Sequence, residues 1–101
     1  MNYSSREVEV RQTTVFRNWL DNLKDKRAAE RIAQRLVRVR AGLLGDAKFF
    51  EGIGELRVNY GPGYRLYFVQ RGRVLIILLC GGDKSTQSKD IQRAKQMATE
   101  V

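Results

Sequence analysis

Arginines and tyrosines alternate through "GELRVNYGPGYRLYFVQR", and that spacing raises the question of chemistry. If Leu56, Val58 and Tyr60 face one way along a strand, Arg57 and Asn59 face the other. The same holds for Arg65 and Tyr67 beside Tyr64, Leu66 and Phe68. Two guanidiniums, an amide and a phenol on one strand face suit RNA. Arginine grips phosphate with two parallel donors, and tyrosine stacks on a base. Lys84 in "GGDKS", Lys48 in "GDAKFFEG" and Arg73 at a second turn are further basic candidates around that face. A solvated strand face carrying ordinary Arg and Tyr residues is the competing reading.

The inventory of reactive groups narrows the chemistry. The chain has no histidine and one cysteine, Cys80, so no thiolate cage or His-containing metal site is expected. No metal and no small-molecule cofactor are assigned. "GGDKS" lacks the full spacing of a phosphate loop, which argues against nucleotide triphosphate binding of that type. Asp83 and Asp90 are read as charges at helix N-termini. Glu51 and Glu55 are read as ion-pair partners of the basic cluster, a carboxylate base being the alternative.

Nineteen Lys and Arg against eleven Asp and Glu give a formal charge of +8 over 101 residues, which favours a polyanionic partner. The length allows one domain, and 43% apolar with 30% charged residues fits a globular chain. The longest apolar run, "VLIILLC", is too short to cross a bilayer, so no membrane partner is expected. "MNYSSREVEV" lacks the order of a signal peptide, and a lone cysteine in an apolar run fits a reducing compartment. Both point to the cytoplasm.

Several elements must position these residues. "REVEVRQ" reads as a short strand with Val8 and Val10 on one face. Thr13 or Thr14 caps a helix containing Val15, Phe16, Trp19, Leu20 and Leu23. A longer helix is expected from Arg27 to Leu43, with Ala28, Ile32, Leu36, Val39 and Leu43 on its apolar side. Gly42 and Gly45 end it. Arg27, Arg31, Arg35 and Arg38 form a stripe beside that side, either a wet helix face or a contact for RNA or an acidic protein.

The "GPG" turn should join two strands with Tyr60 opposite Tyr64, Val58 opposite Leu66, and Leu56 opposite Phe68. Arg65 then lies near Asn59. "RG" at Arg71 and Gly72 makes the next turn. Val74 to Cys80 forms a central strand and "GGD" ends the sheet. Ser85 or Thr86 caps a last helix with Ile91, Ala94 and Ala98 on one face. The expected fold is α+β in the order β-α-α-β-β-β-α, an antiparallel sheet packed by two N-terminal helices with a C-terminal helix.

The segments "FFEGIGELRVNYGPGYRLYF" and "LLCGGDKSTQSKDIQRAKQMA" resemble the addiction-module killer proteins, HigB-like toxins of the RelE/ParE superfamily. The resemblance covers almost the whole chain and is strongest from Phe49 to Ala98. It implies a RelE-like fold and a type II toxin–antitoxin pair, with a small helix-turn-helix antitoxin as cognate partner. RelE-like members cut messenger RNA on the ribosome without metal, driving the ribose 2′-hydroxyl onto the adjacent phosphate. Arg65 matches the family's third-strand arginine and would stabilise the phosphorane charge. Lys84 would contact the leaving group or phosphate, Arg57 would clamp phosphate, and Tyr67 would stack on a base or orient Arg65. The cationic stripe from Arg27 to Arg38 would take an acidic antitoxin tail.

The chain departs from that pattern in two respects. It lacks the histidines of HigB proper and the C-terminal tyrosine of many RelE-like toxins. A lysine, Lys84 or Lys48, with its pKa lowered by neighbouring arginines is the available base. The resemblance also admits a ParE-like toxin that binds DNA gyrase without a nuclease site, or a phage-derived remnant that only binds its antitoxin or operator DNA.

Overall fold

The computed structural model describes residues 7–101. Arg6, at the start of the first expected strand, and the rest of the N-terminal stretch lie outside them. The fold is α+β: three helices and a five-stranded mixed sheet. In chain order the elements are β1 (Glu9–Gln12), α1 (Thr14–Asp21), α2 (Lys26–Arg40), β2 (Ala47–Phe50) and β3 (Ile53–Val58). Then come β4 (Tyr64–Arg71), β5 (Leu75–Asp83), a single 3₁₀ turn (Lys84–Thr86) and α3 (Gln87–Ala98). No helix among the described residues is long and apolar enough to cross a membrane.

Two expectations about the sheet need correction. It is mixed, because β1 runs parallel to β5 at one edge, in the strand order β1-β5-β4-β3-β2. It also contains a strand the periodicity does not announce, Ala47–Phe50, paired antiparallel with β3. Four residues cannot display a period, and the turn that joins it to β3 is unusual. Glu51 and Gly52 both take positive φ, 51° and 84°, the geometry that Asn-Gly or Asp-Gly normally signals. The Glu51 carboxylate accepts a 2.6 Å bond from Lys95 Nζ, tying this hairpin to α3.

Helix starts follow the capping chemistry. Thr13 Oγ1 accepts from the Phe16 N–H at 3.0 Å, and Asp25 Oδ1 accepts from the N–H groups of Arg27 and Ala28. α2 stops at Arg40, and Gly42 takes φ 88° just beyond it. Leu43 therefore lies past the helix and is exposed, while Ala28, Ile32, Leu36 and Val39 are buried as the spacing requires. Thr86 stands at the start of α3 but makes no capping bond; its hydroxyl donates to Asp90 Oδ2.

The sheet is covered on both faces. Phe16 and the four buried residues of α2 pack on Leu56, Val58, Leu66, Phe68, Ile76 and Leu78. On the other face Ala94 and its α3 neighbours pack on Ile53, Tyr67, Val69, Leu79 and Cys80. A register irregularity beside Tyr67 and Phe68 lets Leu78 serve one layer while both Leu79 and Cys80 serve the other. "GGD" does not end the sheet. Gly81 and Gly82 carry β5 onward because neither has room for a side chain: a Cβ on Gly81 would overlap the Trp19 ring, and one on Gly82 the Asp90 carboxylate.

Gly54 has the same role on β3, directly opposite Phe68, whose ring fills the space a methyl would need. Gly54→Ala is expected to lower the unfolding free energy by about 1–3 kcal/mol through overpacking. Urea denaturation with an unchanged slope would report it; an unmoved midpoint would show that the Phe68 ring can step aside.

Candidate functional site: a buried carboxylate between two cross-strand arginines

The β3–β4 hairpin keeps the expected faces but not the expected register. Val58 lies opposite Tyr64, Leu56 opposite Leu66 and Gly54 opposite Phe68, two residues away from the spacing-based alignment. A shift of two preserves which side chains share a face. The loop is therefore five residues, 59–63, with Gly61 and Gly63 at φ 56° and 81°. Tyr60 is drawn out of the ladder, its ring 4.9 Å beneath the Arg31 guanidinium on the α2 side.

The partner of Arg65 changes accordingly. It stands opposite Arg57, not Asn59, and Tyr67 stands opposite Glu55. Like charges directly opposite repel, and the Glu55 carboxylate resolves the conflict. Its Oε1 accepts from Arg57 Nε at 3.2 Å and lies 3.6 Å from Arg65 Nη1, while Oε2 accepts from Gln87 Nε2 at 3.2 Å. The Glu55 side chain is 1% exposed, that of Arg65 11% and that of Arg57 34%. Glu55 is the expected ion-pair partner of the cluster, whereas Glu51 pairs outside it, with Lys95 of α3. Gln87 enters the cluster without any signal in the sequence, because only the docking of α3 brings its first residue over β3.

Two donors in this cluster, Arg65 Nε and the Tyr67 hydroxyl, are buried without a partner among the described residues. Burial pushes the Tyr67 hydroxyl far above its ordinary range, and the facing Glu55 carboxylate adds to the shift. Tyr67 is fully buried beneath α3, so it does not present a ring for stacking on a base. Lys48 pairs in register with Glu55 and shares the face of the cluster from the edge strand. The exposed Lys84 lays its aliphatic stem along Gly63 at the open end of the hairpin. Asp83 caps the 3₁₀ turn through Ser85, and Asp90 lies over Gly82, the cross-strand partner of Arg65. Both aspartates sit at helix starts, as read.

Two other candidates lie elsewhere. Asn59 lines a cleft of about 210 Å³ with Arg31, Gln34, Arg35 and Arg38, on the α2 layer. Arg73 is in the β4–β5 turn, about 20 Å along the strand from Arg65. On α2, Arg27, Arg31 and Arg38 are exposed, but Arg35 is not a free cation for a partner. Its guanidinium donates to the carbonyls of Leu44 (2.9 Å), Asp46 (2.8 Å) and Arg57, fastening α2 to β3 and to the loop between them. Burial lowers its pKa below the usual guanidinium value, with Asp46 opposing the shift.

Arg35→Ala should therefore cost stability, about 2–4 kcal/mol, by stranding three carbonyls. Arg38→Ala, on the wet face, should cost less than about 0.5 kcal/mol. Thermal unfolding of the two variants side by side separates a structural arginine from a surface one.

Cys80 supplies a pH test of the packing. Burial pushes its thiol up to about 11 from 9.0, with Asp90 contributing. A raised acid pKa means the folded state holds its proton longer, so this contribution is complete below pH 9 and lost as pH rises toward 11. Cys80→Ala should flatten the stability loss between pH 9 and 11, followed by urea midpoints. The wild-type thiol should resist an aromatic disulfide reagent at pH 8 until the chain is unfolded.

No family model matches the chain. A protein of Haemophilus influenzae (strain ATCC 51907 / DSM 11121 / KW20 / Rd), described as an uncharacterized protein, is 47% identical to it over 95 residues. The match spans 93% of this chain and 96% of that protein. The chain belongs to the same family as this Haemophilus influenzae protein.

Proposed function

We propose that the protein is the toxin of a type II toxin–antitoxin pair, with a RelE-like fold, that cleaves messenger RNA on the ribosome. The observation that carries this reading is the Arg57–Arg65 pair, cross-strand neighbours held by one buried carboxylate, with Arg65 Nε left without a partner among the described residues. Two guanidiniums fixed in this way form a rigid positive platform at which little reorganisation is needed when phosphate charge develops. Lys48 and Lys84 extend it at two margins.

In this reaction the ribose 2′-oxygen bonds to the adjacent phosphorus and the bond from phosphorus to the 5′-oxygen breaks. The 2′-proton leaves to a base, and a proton is delivered to the departing 5′-oxygen. Arg65 stabilises the phosphorane and Arg57 clamps a non-bridging oxygen. Lys84, the exposed amine beside the hairpin, serves the proton or the leaving group. No group of three or more His, Cys, Asp or Glu with metal-binding geometry occurs among the described residues, and the arginines carry the charge stabilisation in this scheme. The antitoxin contact falls on Arg27, Arg31 and Arg38, exposed on the opposite face of the sheet, with Arg35 removed from that role.

The burial of Arg65 and Tyr67 favours a second reading, a ParE-like toxin that binds DNA gyrase and needs no nuclease site. Primer extension on transcripts after induction decides between them. Cleavage within translated codons is expected for the wild type. Arg57→Ala should reduce it on the order of 10²-fold. Arg65→Lys, which keeps the charge facing Glu55 but loses the planar fork, should reduce it comparably while the far-ultraviolet circular dichroism is unchanged. Unaltered transcripts together with inhibition of gyrase supercoiling by the purified protein would replace the first reading with the second.

A further inference from the structure

A second concavity among the described residues lies away from the arginine cluster. It is a cleft of about 850 Å³ at the far edge of β5, between α1 and the start of α3, within the range typical of small-molecule sites. It exists because β1 is short. Pairing of β1 with β5 ends at Leu78, and Thr13 Oγ1 then donates to the Leu79 carbonyl at 2.6 Å. From Cys80 to Asp83 the strand is paired, among the described residues, with β4 alone, and its other edge opens into the cleft. Alternate backbone N–H and C=O groups along such an edge are free to read a ligand.

The walls restrict what that ligand is. Trp19, the chain's single tryptophan, and Tyr64 meet edge to face with ring centroids 6.2 Å apart, giving an aromatic flank. Asn18 of α1 and Asn22 just past its end add amides. Three carboxylates, Asp25, Asp83 and Asp90, also line the cleft. Each uses one oxygen to accept from a helix start or from Thr86, and the second oxygen has no donor among the described residues. Three negative charges exclude a phosphate from the interior, and their open acceptors call for neutral N–H donors. Lys24 and Arg93 stand in the lining too, in no ion pair among the described residues.

We propose that this cleft binds a nucleotide through an amine-bearing base (adenine, cytosine or guanine) against Trp19 and the carboxylates, its phosphate taken by Lys24 and Arg93. A planar heteroaromatic ring stacks on indole, exocyclic amines donate to the aspartates, and the lining holds both the acceptors for those amines and two cations for an anion. Uracil offers the carboxylates a single ring N3–H and no exocyclic amine, so it matches fewer of them. Neither Arg57 nor Arg65 lines the cleft, although Gly82, the cross-strand partner of Arg65, does, and binding there does not depend on ribonuclease activity.

The test is a titration of the ¹⁵N-labelled protein, following the one Trp19 indole N–H resonance, with AMP, CMP, GMP and UMP. The first three should give saturable shifts, with UMP roughly tenfold weaker. Lys24→Glu/Arg93→Glu should weaken AMP to the level of adenosine, and Arg65→Lys should titrate as the wild type does. A short single-stranded oligoadenylate binding more tightly than AMP identifies nucleic acid as the source of the base; equal affinity identifies the free nucleotide. Absence of any saturable shift, UMP binding as well as AMP, or an unaffected charge-reversal variant would each overturn the proposal. Failure of mRNA cleavage with an intact titration would remove only the ribonuclease reading.

Discussion

The Glu55 carboxylate, withdrawn almost wholly from water, is the constraint around which the hairpin is arranged. Burying one charge is unfavourable, and the molecule compensates by bringing two guanidiniums and an amide to it. Those partners come from β3, β4 and the first residue of α3, so one carboxylate fixes the distance between two strands and the position of a helix. The same contact makes the arginines rigid. A pair of guanidiniums that would repel across a ladder becomes a stable pair only with this anion beneath it.

A second polar anchor on the opposite layer works through backbone rather than charge. Arg35 gathers the carbonyls of Leu44, Asp46 and Arg57, so α2, the connecting loop and β3 move as a unit. Arg57 is thus held twice, by its side chain at Glu55 and by its carbonyl at Arg35. The basic face and the helical layer are coupled through one residue of β3.

Glycine decides how closely the layers approach. Gly54 admits the Phe68 ring, Gly81 the Trp19 ring and Gly82 the Asp90 carboxylate. These contacts extend β5 beyond its apolar run and let α1 and α3 flank its free edge. The cleft between α1 and α3 follows from that geometry together with the brevity of β1.

The sequence by itself determined the faces: an alternating strand assigns Leu56, Val58, Leu66 and Phe68 to the core and Arg57 and Arg65 to the other side, whatever the register. It narrowed the first helix cap to Thr13 or Thr14 and determined the apolar stripe of α2, because capping and a 3.6-residue period are local properties. The register itself escaped it, since alignments two residues apart bury the same side chains; the choice fell to Tyr60, which left the ladder to lie beneath Arg31. Tertiary structure alone decided that α3 would cover Tyr67, that Arg35 would turn inward, that Asn59 and Arg73 would part from Arg65, and that four residues at Ala47–Phe50 would pair as a strand. Each of these depends on contacts between residues distant in the chain, for which spacing along a single element carries no information.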